Sequence, residues 1–171
     1  MTGKNKRVSK RAETVAGLGI GVPVVIEVLV LRAREDGLHY CPLRQSLLSP
    51  PDPDAAAKAL CGSGPPPDLL HSTSWREEDG TIILTYVAVT DMEFSKPGRL
   101  VSEEVAIGDG PSAPAPDALA LGEVAAHACR HLAFLGATDP HVAAALQRHP
   151  ELRRHVNSYL PAVAGELSHV A

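Results

Sequence analysis

The sequence predicts an α+β protein: a mixed β-sheet flanked by helices as an α/β/α sandwich, with a C-terminal helical extension. Three observations predict it. β-branched apolar runs stand at residues 22–32 and 81–90, as in strands covered on both faces. A short, well-capped helix pattern separates two pairs of strand-like runs. Beyond a proline-rich linker, apolar residues recur at helical spacing.

Residues 22–32 (VPVVIEVLVLR) read as the first strand, and Glu35-Asp36-Gly37 as a turn. Residues 38–44 return as an antiparallel strand, at an edge or bulged because Pro42 lacks a ladder donor. Asp52 caps a helix with Pro53 in its first turn, and Gly62 stops it. Residues 69–76 and 81–90 flank Asp79-Gly80, a hairpin signal. Strict alternation places His71, Thr73 and Trp75 on one face and Ser72, Ser74 and Arg76 on the other. Residues 100–107 read as one more strand and 108–116 as a linker. Leu121, Val124, Ala125, Ala128, Leu132 and Leu135 then form one apolar stripe, with Gly136 closing that helix. Asp139-Pro140 opens a second helix, His149-Pro150 interrupts it, and Leu152, Val156, Tyr159 and Leu160 resume the period. The expected organisation is a flexible basic tail over 1–21, an α+β core over 22–110 and a helical segment over 111–171 packed on the core.

At 171 residues the chain can bury a sizeable core. Aromatic residues make up only 4%, so that core rests on Val, Leu, Ile and Ala. The net charge of −4 is unevenly placed, because Lys4, Lys6, Arg7, Lys10 and Arg11 all precede the first acid, Glu13. The remaining body has 11 basic against 20 acidic residues, which argues against nucleic-acid binding. The apolar run at 15–22 is interrupted by glycines and Pro23, too short for a membrane span and without a clear cleavage site. Cys41, Cys61 and Cys129, an odd number with no CxxC pair, form no disulfide framework. Cys41 and Cys61 read as small buried residues. These features predict a reduced, cytoplasmic protein that neither enters membranes nor holds a cofactor.

The order strand, turn, strand, proline-rich segment, short helix, strand, Asp-Gly hairpin, strand resembles the core of the Nudix superfamily over residues 22–92, less than half of the chain. In that resemblance Lys58 falls on the motif's arginine and Leu60 on its aliphatic position. Ala59, Gly62 and Ser63 fall on the three metal-binding glutamates, and Ser46-Leu47-Leu48-Ser49-Pro50 replaces the glycine-rich loop. Magnesium requires hard oxygen ligands in near-octahedral geometry, and diphosphate hydrolysis uses its charge to activate water. A methyl, a hydrogen and a hydroxyl cannot replace three carboxylates. The resemblance therefore implies a Nudix-like fold without Nudix hydrolysis.

Other constellations carry weaker chemistry. His127 and His131 lie at i and i+4 on a helix, a workable metal-ligand spacing that needs a third ligand, for which His71 is the candidate. The plainer reading is a pair of histidines bordering a packed face. Ala128 stands where a metalloprotease helix carries its glutamate, and Cys129 points away from both histidines. Neighbouring strand residues face opposite ways, so His71 does not activate Ser72. Glu27 interrupts an apolar strand, and a buried carboxylate must be paired or protonated. It reads as a ligand contact or general base, or more simply as a residue on a partly wet face or the partner of an arginine. Trp75 and Tyr86 line a pocket or, more simply, pack in the core.

The resulting expectation is a non-hydrolytic binding module, accessory or regulatory, for a small molecule or protein. Its groove would lie between the 53–62 helix and the sheet, near Glu27, Arg44, Trp75 and Arg76. Alternatives are an enzyme of another class using Glu27 and the histidines, with or without a metal, and a purely structural interaction protein. The apolar helical stripes pack on the sheet or form a homodimer.

Overall fold

A computed structural model describes residues 22–47, 52–91, 98–102 and 119–163. β1 (Val24–Arg34) and β2 (Gly37–Ser46) form an antiparallel hairpin. α1 (Pro53–Leu60) follows, then β3 (Leu69–Glu78) and β4 (Thr81–Val89), a second antiparallel pair. β5 (Arg99–Leu100) precedes α2 (Leu121–Thr138), α3 (Pro140–Gln147) and α4 (Pro150–Val156). The strand order is β3-β4-β1-β2-β5, and β1 runs parallel to β4. The sheet is therefore mixed, and the fold is α+β.

Local chemistry explains the elements. Asp52 accepts the Ala55 amide at 2.9 Å, capping α1. Gly62 then turns the chain at φ 92°, where a side chain is strained. Asp79 and Gly80 both have positive φ, as the tight β3–β4 hairpin demands. Pro42 sits in β2 opposite Leu29, past the two positions where β5 pairs with β2, so its missing amide breaks no ladder to β5.

Alternation along β1 divides the core. Ile26, Val28 and Val30 face α1 with Cys41, Tyr86 and Ala88, against Ala57 and Cys61. Leu29 and Leu31 face the other way, with Tyr40, Val87 and Val89, into the side chains of α2, α3 and α4. Helices thus cover both faces, as the apolar β1 run requires. Each fully buried aliphatic side chain contributes about 1.5–3 kcal/mol. Ala125, Ala126, Ala128 and Cys129, all at 0% exposure, let α2 lie close to the sheet.

Three sequence expectations need correction. The strand expected over 100–107 is two residues long, Arg99–Leu100, with Val101 and Ser102 outside it; residues 103–107 lie outside the described residues, as do the tail at 1–21 and the linker at 108–116. Gly136 does not close α2, which continues to Thr138. A Cβ on Gly136 would stand 3.1 Å from Leu146 Cδ1, so this glycine serves the close approach of α3. The third correction is the alternation along β3. A bulge between Ser72 and Ser74 leaves Thr73 unpaired, which reverses the faces of every residue after it.

Candidate functional site

The bulge decides which predicted residues meet. His71 pairs with Val87, Ser74 with Thr85 and Arg76 with Ile83, on the face of β4 that carries the α2–α4 core. Trp75 pairs with Leu84, which packs with the α1 core. Thr73, 2% exposed, turns inward and donates to the Thr85 carbonyl at 3.3 Å. Arg76 therefore reaches Glu27, whereas Trp75 lies on the opposite face with 69% exposure. Trp75 is not a core residue, and α1 is separated from Glu27, Arg44 and Arg76 by the sheet. The four residues do not form one groove under α1.

Glu27, fully buried, is the centre of an ion network. Its Oε1 accepts Arg76 Nη1 at 2.9 Å and Thr85 Oγ1 at 3.1 Å. Its Oε2 accepts Arg44 Nε at 2.6 Å and Arg76 Nη2 at 3.2 Å. Arg76 also donates to Thr85 Oγ1 and to Glu78 Oε1, at 2.9 and 2.7 Å. Burial pushes Glu78 upward, but its hydrogen bond and charge contact with Arg76, helped by Arg44, hold it below the ordinary value. Every lone-pair direction of Glu27 is engaged. The arginine partnership foreseen from the sequence is present, and a carboxylate so engaged has no free position for abstracting a substrate proton.

A second cluster joins β3 to α2. His71 Nε2 lies 3.3 Å from His131 Nε2, with the rings 29° from parallel. Burial, partly offset by the Ala162 backbone and reinforced by His71, lowers the pKa of His131. His127, one turn earlier, is lowered by burial and then by Arg130 and His131. The three histidines do not bring ligand atoms within 4.8 Å of one another. Cys129 is wholly buried, which pushes its thiol far up, so it is unreactive.

The third feature was not foreseen. A recess of about 290 Å³ opens at the carboxyl ends of the parallel pair β1 and β4, walled by Arg32, Thr90, Asp91, Arg148, His149 and Glu151. Beside it His149 Nε2 meets Asp68 Oδ2 at 2.8 Å, and His149 Nδ1 lies 3.4 Å from Asp91. Arg148 pairs with Asp68 at 2.7 Å. The hydrogen bond from His149 lowers the Asp68 pKa; burial opposes it and Arg148 assists. Among the described residues, Asp68, Asp91 and His149 are the one trio with ligand atoms within 4.8 Å of one another. Arg148 and His149 thus both contact Asp68, and His149 also lies near Asp91. The sequence held one hint, Asp91 just past the strand-like run at 81–90; His149-Pro150 read only as a helix break.

α1 presents no acidic ligand set. Lys58, Ala59, Gly62 and Ser63 are exposed, and Asp54 accepts the Tyr86 hydroxyl at 2.7 Å. Burial and that hydrogen bond push Tyr86 up to about 12. No helix among the described residues is long and apolar enough to cross a membrane. No protein family, curated protein or solved structure matches the chain.

Proposed function

We propose that this chain is a non-hydrolytic, Nudix-like binding module, accessory or regulatory in role, whose ligand is a small polar metabolite held in the recess at the ends of β1 and β4. The recess itself carries this reading. Open sheets with parallel strands tend to bind ligands just outside the strands' carboxyl ends, where β1 and β4 here deliver Arg32, Thr90 and Asp91. The wall combines apolar surface from Leu31, Ala33, Pro150 and Leu152 with charges of both signs, a lining suited to a zwitterionic or carboxylate-bearing molecule. A volume of about 290 Å³ lies at the lower edge of the ~300–1,000 Å³ of ligand pockets. That size favours an amino acid or small organic acid over a nucleotide. The absence of carboxylates at the Nudix-motif positions of α1, and the full engagement of Glu27, both weigh against catalysis.

Thermal denaturation with a panel of amino acids, small carboxylic acids and nucleotides tests the reading. A ligand at a hundred times its Kd adds about 2.7 kcal/mol, a rise of roughly 5–10 °C for a chain of this size. We expect such a rise from a small zwitterion or acid, and its loss in Arg148→Ala. A null panel, or a shift insensitive to Arg148→Ala and Asp91→Ala, would reject the recess. Turnover of a nucleoside diphosphate with magnesium would reject the non-hydrolytic assignment.

A further inference from the structure

We infer that His71 and His131 form an open, two-imidazole site for a divalent transition-metal ion of the zinc, nickel or copper class. The first support is distance. Two nitrogens at about 2.0–2.1 Å from one tetrahedral ion stand roughly 3.3–3.4 Å apart, and the two Nε2 atoms lie 3.3 Å apart. The second is the weakness of the alternative. Without an ion, one Nε2 must donate a proton to the other, and 3.3 Å exceeds the usual 2.7–3.2 Å of a nitrogen donor's hydrogen bond. An ion that displaces the shared proton therefore breaks only a feeble contact.

On α2, His127 lies one turn before His131, with the Arg130 charge acting on His127. The buried Nδ1 atoms of His127 and His131 both lack a hydrogen-bond partner, and the His127 ring is not a third ligand. Indeed no His, Cys, Asp or Glu among the described residues places a ligand atom within 4.8 Å of both nitrogens. The remaining coordination positions fall to water or an external ligand. Imidazole nitrogens select zinc, nickel or copper over magnesium and calcium, which prefer oxygen. His71 and His131 sit on a strand and a helix, elements that hold the pair in place.

The test is calorimetric titration of the chelator-stripped full chain with zinc chloride at neutral pH, repeated on His71→Ala, His131→Ala and Asp68→Ala. The wild-type chain should take up about one ion, and each histidine substitution should weaken binding at least about tenfold, while Asp68→Ala leaves it unchanged. Binding should also fall as the pH drops through the imidazole range, because protons compete for the same nitrogens. Metal-free melting of each variant establishes that it is folded; if His131→Ala is not, His71→Ala on its half-buried strand position decides the matter. Absence of zinc binding, binding indifferent to His71→Ala, or binding lost in Asp68→Ala would each overturn the site.

Discussion

Glu27 shows how one residue's neighbours settle its role. A carboxylate with no exposure is tolerable only because two guanidiniums and a hydroxyl supply four hydrogen bonds. Removing one partner of such a buried set costs far more than the set is worth, since the other charges remain desolvated. Glu27→Leu is therefore expected to lose about 3–5 kcal/mol in urea unfolding, whereas Glu27→Leu combined with Arg76→Met should recover much of that loss. Equal losses in the single and double variants would contradict a network held by mutual desolvation. Arg44 is 41% exposed and Glu27 keeps Arg76 without it, so Arg44→Ala should cost only about 1 kcal/mol.

The elements carry their own predictions. α1 has eight residues, short enough that its end groups weigh heavily. Asp52→Ala removes the side-chain acceptor for the Ala55 amide and should cost about 1 kcal/mol, read as a lowered urea midpoint with an unchanged slope. A change below a few tenths of a kcal/mol would mean water replaces the cap. Asp139 does double duty. It closes α2 and caps α3 through the Val142 and His141 amides, and those bonds lower its pKa. The junction is tight because Gly136 admits Leu146. In β3 the single unpaired residue Thr73 re-aims all that follows, which is the ordinary work of a bulge.

For the whole molecule, acid is the informative perturbation. Burial is the first cause of the lowered pKa values of His127 and His131, set against an ordinary 6.5. Their unfolded forms bind protons more readily, so the stability they contribute is complete above 6.5 and is lost as pH falls through their folded values. Asp68 and Glu78 are lowered from 3.8 and 4.5, and their contribution disappears only at still lower pH. Urea midpoints measured between neutral and pH about 3 should thus decline in two stages. A profile that stays level until the carboxylate range would refute the histidine stage. On the alkaline side Tyr86 is raised to about 12 from 10; its contribution is present below 10 and is lost as pH rises from 10 through about 12.

Sequence alone was enough for the α+β class, the two hairpins, the capped helix at Asp52 and the helix boundary at Asp139-Pro140. These follow from local physics: β-branched runs, fixed turn dihedrals and side chains that cap the next amides. It also sufficed for the missing acidic ligands on α1, since an absent carboxylate needs no coordinates. What only the tertiary structure decided was facing and convergence. The Thr73 bulge sent Arg76 to Glu27 and Trp75 to the opposite side, against strict alternation. Packing brought His71 to His131 across 60 residues, and Asp68, Asp91 and His149 together from three segments. The physical reason is that turns and caps are decided by neighbours in the chain, whereas a bulge and a recess depend on how whole strands and helices settle against one another.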